Sequence, residues 1–124
     1  DTFGAGFIGT GLSQSSGVFT FPSTGIYVIS SGSYILSSNS YSYAGLQIQV
    51  TADNSSYNTV TEAYTTDNTH GTELGVFVQY IFDCTNTSND KFRINGRAVG
   101  TNATYQGSTS SNKTWVNAIR LGDT

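Results

Sequence analysis

The sequence has one proline, one cysteine and no methionine, and only 10% of its 124 residues are charged. A single cysteine, Cys84, excludes an intrachain disulfide. In "QYIFDCT" it reads as a buried thiol closing a core strand, and a chain of this size without disulfides suits a reducing compartment. The five Lys and Arg residues are scattered along the chain and the net charge is −3, so the basic stripe that nucleic acids require is not expected. No apolar run approaches the roughly 18 residues of a helical membrane span. Apolar residues at helical spacing are lacking as well. The missing methionine is what a processed or excised part of a longer chain would show.

Ser, Thr, Asn and Gly take the place of charge, alongside 8 Tyr and 7 Phe. Disordered chains are poor in aromatics and rich in charge, the reverse of this one. The length fits one domain over residues 1–124. Alternation with a period of two recurs, with turn residues every ten or so positions, which predicts an all-β sandwich or barrel. Strands are expected at 2–9, 18–21, 26–36, 46–52, 58–64, 74–84, 91–99 and 115–121. In 46–52, "LQIQVTA", Leu46, Ile48 and Val50 go inward and Gln47, Gln49 and Thr51 outward. Loops are expected at 37–44, 53–57, 65–72, 85–90 and 100–114, all rich in residues that bond to their own backbone or accept positive φ.

The lone proline stands between two strand-like runs in "GVFTFPSTGIYVIS". Pro22 fixes φ and donates no backbone hydrogen bond, so it cannot lie within a paired central strand. "PSTG" therefore reads as a tight corner that ends one strand and launches the next, and two strands meeting at such a corner can belong to different sheets.

The residues 74–84, "LGVFVQYIFDC", are apolar on both faces. Leu74, Val76, Val78, Tyr80 and Phe82 alternate with Phe77 and Ile81. In 115–121, Trp115, Ile119 and Leu121 alternate with Val116 and Ala118. A two-layer sandwich needs one apolar face per strand, so the second face is expected to be covered by long loops or by other copies of the chain.

The loops suggest binding rather than catalysis. Asn39, Tyr41 and Tyr43 in "SSNSYSYAG", Tyr57, and Tyr105 in the Gly/Ser-rich stretch are candidate ligand contacts. Tyr offers large contact area at small entropic cost, and Ser and Asn adapt their hydrogen bonds. Half-buried strand-flanking tyrosines are the competing reading, and the one favoured for Tyr64. The single histidine, His70, lies near Asp67 and Glu73, but no nucleophile elbow accompanies it, and no enzymatic activity is expected. No cofactor is expected either. Oxygen-rich loops around Asp53 and Asp67 are weak candidates for calcium.

Leu12, Phe19, Gly25 and Tyr27 fall at the spacings of the signature of globular head domains that include complement component 1q and, more distantly, tumour necrosis factor; the chain resembles that family. Ile29 stands where the family usually has Phe, and Asp1 and Phe7 depart from the upstream half of the signature. The resemblance implies a two-sheet antiparallel jelly-roll sandwich that assembles as a homotrimer, at the C-terminal end of a stalk or fibre. The intersubunit face then falls to Val76, Val78, Tyr80, Phe82, Trp115 and Ile119. "TFPSTGIYVIS", "DCTNTSNDKFRI" and the terminal "IRLGDT" also look like heads of virion proteins of bacteriophages, marine ones especially. That likeness implies a place on the virion surface, joined to other virion proteins through a stalk or anchor. It also implies attachment to a host cell-surface glycan or protein, without membrane insertion. A purely structural trimerisation or capsid-decoration cap, and a secreted complement-type or cytokine-like ligand, are the alternatives.

Overall fold

The computed structural model describes residues 8–37, 41–67, 73–99 and 103–124. Nine strands run through them: β1 (Ser13–Ser15), β2 (Val18–Thr20), β3 (Gly25–Ser37), β4 (Tyr41–Thr51), β5 (Asn58–Asp67), β6 (Glu73–Cys84), β7 (Lys91–Val99), β8 (Ala103–Tyr105) and β9 (Thr114–Gly122). They form two antiparallel sheets. One has the order β1-β2-β7-β4-β5. The other is built on β3, with β6 along one edge and, along the opposite edge, β9 beside Ile26 to Ser33 and β8 beside Ile35 to Ser37.

The corner at Pro22 does what its chemistry demands. β2 lies in the five-stranded sheet and β3 in the other. Gly25 takes φ +145°, and a Cβ there would stand 2.5 Å from the Gly122 carbonyl oxygen. The Tyr27 hydroxyl donates to the Ser23 carbonyl at 2.9 Å, and the Arg120 Nε donates to the Thr24 carbonyl at 3.0 Å. Two consecutive corner residues, Ser23 and Thr24, are thus held by side chains from β3 and β9.

The sheets share one core. Tyr27, Ile29, Ile35, Val76, Val78 and Cys84 meet Ala44, Leu46, Ile48 and Phe92 across it, with Phe21 between. An aromatic column links the layers: Phe92 lies 4.9 Å from Phe19 and 5.3 Å from Phe21, and Phe21 lies 4.5 Å from Tyr27 and 5.6 Å from Phe82. Such ring pairs add about 0.5–1.5 kcal/mol each beyond simple burial. The hydroxyls of the central strand are satisfied laterally: Ser31 donates to the Trp115 carbonyl at 2.7 Å, and Ser33 and Thr114 share a hydrogen bond of 2.8 Å. Cys84 is fully buried, and burial pushes its thiol pKa up. Buried Asp90 ties the connection between β6 and β7, accepting from the Thr85 and Asn86 backbone N–H groups at 2.7 Å each.

Several boundaries differ from the sequence expectation. Residues 41–44, read as loop, begin β4, because their partners on β5 and β7 complete the ladder. β5 runs on to Asp67, and β8 falls inside the stretch 100–114 that was expected to be loop. β1 was not anticipated, and Ile8 and Gly9 carry no strand. Most of the strand expected at 2–9 lies outside the described residues.

The two faces of β6 are divided differently from the expected intersubunit assignment. Val76 and Val78 are core residues, and Tyr80 and Phe82 pack against that core. They cannot form an outer contact face, because the five-stranded sheet already covers them. The large apolar side chains that β6 turns outward are Phe77 and Ile81, 54% and 61% exposed. Their outward neighbours on β9 are Ile119 and Leu121, 53% and 60% exposed, and half-buried Trp115. The Trp115 ring lies across Gly32, where a Cβ would come within 2.8 Å of it, and reaches to 6.1 Å from the Phe77 ring. Of the six residues assigned to that face from sequence, only Trp115 and Ile119 lie on it.

Candidate functional site

The outer face of the five-stranded sheet has the opposite character. Because side chains alternate across a strand, β4 sends Ala44, Leu46, Ile48 and Val50 inward and Tyr43, Gln47 and Gln49 outward. The register sets Gln47 opposite Asn95 and Glu62, and Gln49 opposite Arg93 and Thr59. Two polar ladders result. In the first, Asn95 Nδ2 donates to Gln47 Oε1 at 2.7 Å, and Gln47 Nε2 lies 2.8 Å from both Glu62 Oε2 and the Tyr64 hydroxyl oxygen. The Tyr64 hydroxyl donates in turn to Glu62 at 2.8 Å. These donors hold the Glu62 carboxyl below its ordinary pKa, with Gln47 the larger cause. In the second ladder, Arg93 Nε donates to Gln49 Oε1 at 2.6 Å, and Gln49 Nε2 donates to Thr59 Oγ1 at 3.1 Å.

Two arginine–tyrosine pairs flank the ladders. The Arg93 guanidinium sits 4.3 Å above the Tyr57 ring, and that of Arg97 lies 5.7 Å from the Tyr43 ring. Tyr43 meets Tyr64 edge-on at 5.1 Å. Lys91, Arg93 and Arg97 stand at alternate positions of β7, so three of the five cations of the chain share one face. The three lie within seven residues of one strand, and their shared parity in "KFRINGR" was the readable sign. Among the described residues the close ion pair found is Arg120 with Asp123; Glu62 acts on Arg97 at longer range, each favouring the charged form of the other.

Of the candidate ligand contacts, Tyr43 and Tyr57 belong to this face. Asn39 and the Tyr41 side chain lie outside the described residues. Tyr105 does not join them. Its hydroxyl donates to the Gly45 carbonyl at 2.7 Å, lies 3.0 Å from the Arg97 carbonyl and accepts from the Gly45 N–H at 3.3 Å. The ring covers Gly96, leaving a Cβ there only 3.1 Å. Tyr105 is a bolt between β8, β4 and β7, drawn inward because its ring fills the space that Gly96 leaves. Tyr64, expected to flank a strand, is 36% exposed within the polar ladder.

Asp53, the described one of the loop candidates for chemistry, bonds within its own turn. Asp53 Oδ1 accepts from the Thr51 hydroxyl and from the Ser55 and Ser56 backbone N–H groups at 2.7–2.8 Å, which closes the turn after β4 and holds its pKa far below the ordinary value, Ser56 first. His70 and the Asp67 side chain lie outside the described residues. No group of three His, Cys, Asp or Glu able to hold a metal occurs among the described residues. A lowered carboxylate pKa contributes stability that is fully present above the unfolded value near pH 4 and is lost as pH falls through the folded value. The melting temperature is therefore expected to fall on acidification below about pH 4, and Asp53→Asn to fall less steeply over that limb. Parallel acid limbs for the two proteins in a pH series of thermal melts would remove this role from Asp53.

A cleft of about 430 Å³ opens between the sheets, lined by Phe19, Leu46, Ile94, Tyr105, Trp115 and Val116 among others. The Ser31 and Tyr105 hydroxyls at its wall are already bonded to backbone carbonyls. It offers apolar surface and few groups to orient a polar substrate, whereas the outer face offers rings, amides and cations together. No protein-family model and no curated protein matches the chain.

Proposed function

We propose that this chain is the head of a trimeric virion fibre, spike or capsid decoration, which attaches to a cell-surface glycan and performs no catalysis. The observation that carries this reading is the contrast between the outer faces of the two sheets. One is apolar, with Phe77, Ile81, Ile119 and Leu121 exposed and Trp115 half-buried. The other combines Tyr43, Tyr57 and Tyr64 with amides and three cations. The first suits contact with further copies of the chain: its central outward positions, Ser30, Gln79 and Asn117, are uncharged, and the outward carboxylates of β6, Glu73 and Asp83, stand at the ends of the strand. The second suits a sugar surface, since rings stack on sugar faces and paired amides exchange hydrogen bonds with hydroxyls.

A jelly roll of the complement-1q kind is supported by the connections. The chain crosses between sheets after β2, β3, β5, β6 and β7, and among the longer strands of the five-stranded sheet only β4 and β5 follow each other directly in one sheet. Such switching is the habit of Greek-key jelly rolls rather than of meanders. Leu12, Phe19 and Tyr27 of the signature pack in or against the core, and Gly25 makes the corner.

The test is solution mass by light scattering with dilution. A species near three times 13.2 kDa is expected. Ile81→Lys should leave the fold intact and raise the dissociation constant about a hundredfold or more, by burying an unpaired charge in every contact. A wild-type monomer at every concentration would sink the trimer. Saturable binding of labelled protein to host cells separates attachment from a purely structural cap, which would show none.

A further inference from the structure

Resting on the reading of the polar face as a glycan platform, we infer that its ligand is a linear acidic polysaccharide, sulfated or rich in uronic acid, laid along β7. Lys91, Arg93 and Arg97 project from one side of a single extended strand. At roughly 3.3 Å per residue they form a straight row, with gaps of about 7 and 13 Å. A row of that length matches negative charges repeated along a chain of sugars better than the single charge of one terminal sugar.

The row is also prepared for an anion. Gln49 takes the Arg93 Nε and the Tyr57 ring supports the guanidinium plane, which fixes the group while leaving its terminal nitrogens outside the described hydrogen bonds. A guanidinium held in this way binds carboxylate or sulfate through a two-pronged contact at small entropic cost. Among the described residues Lys91 makes a long contact of 3.4 Å to Thr20 Oγ1. Glu62 is on β5, two strands from β7, but through Tyr64 its carboxylate comes toward Arg97 and acts on it electrostatically, so Lys91 and Arg93 are the part of the row without a described carboxylate beside it. Glu62 is occupied by Gln47 and Tyr64, and it confines an anionic chain to the β7 side. Nucleic acid is the less suitable polyanion. Its charges, one per roughly 1.7 Å along a duplex, are spaced far more closely than the cations of this row.

The experiment measures binding of the full 124-residue chain to immobilised dextran sulfate, polygalacturonate, neutral dextran and a single-stranded oligonucleotide at two salt concentrations. Expected is binding to one or both acidic polysaccharides at least about tenfold tighter than to dextran, weakening with salt. Arg93→Gln and Arg97→Gln should each lose about tenfold on the acidic ligand and less than that on dextran, while the lysine variants, which keep the charge but not the two-pronged contact, recover only part of the loss. Equal affinity for dextran and the acidic chains, or arginine variants without effect, overturns this inference and leaves a neutral-glycan platform standing. Oligonucleotide binding as tight as that of the polysaccharides overturns it in favour of an unselective polyanion face. Binding to no polysaccharide overturns both the inference and the platform.

Discussion

Gly45→Ala is expected to cost about 3 kcal/mol or more and to lower the melting temperature by about 10 °C. Gly45 lies in β4, between β7 and β5 in the five-stranded sheet. A Cβ there would collide with the Ala63 carbonyl oxygen and stand 2.5 Å from Tyr64 Cδ1 and 2.8 Å from Tyr64 Cα. Two of these atoms are backbone, so no rotamer change relieves the contact and β5 must move off β4. Movement of β4 also disturbs the Tyr105 hydroxyl, which is bonded to both the N–H and the carbonyl of Gly45. The change therefore reaches Tyr64 on the outer face and the β8 bolt together. Gly75→Ala is the control: a Cβ there has nothing within 4 Å, and an effect within about 0.5 kcal/mol is expected. A Gly45→Ala protein melting with the wild type would show that the sheet relaxes at this point.

Phe92→Ala should destabilise the domain by about 3–5 kcal/mol, and Phe92→Leu by about 1–2. Phe92 is fully buried and stacks between Phe19 and Phe21, so its removal opens a cavity where β2, β7 and the Pro22 corner meet. The next residue, Arg93, points to the other side of the same strand. Loosening of β7 should thus weaken acidic-glycan binding although Phe92 touches no ligand. Urea unfolding measures the first effect as a lower midpoint at constant slope. A midpoint equal to that of wild type would mean that neighbouring rings close the gap.

What the sequence determined by itself was the local part. Period-two alternation and the lack of helical spacing settled an all-β chain, and Gln47 and Gln49 were readable as outward because a strand's faces follow from parity alone. Pro22 and Gly25 marked the change of sheet through backbone geometry, which needs no partner. Tertiary structure decided the rest. Parity separates Val76, Val78, Tyr80 and Phe82 from Phe77 and Ile81, but only the opposing sheet decides which set becomes core. Tyr105 looked like Tyr43 in composition, yet the space over Gly96 drew it inward. The stretch 41–44 had the composition of a loop and became strand because β5 and β7 supplied its hydrogen bonds. Tyr57 came to lie beneath Arg93, and Glu62 across from Gln47, through pairing registers set by long-range packing. A register is a property of two strands and the core between them, so no single stretch of sequence contains it.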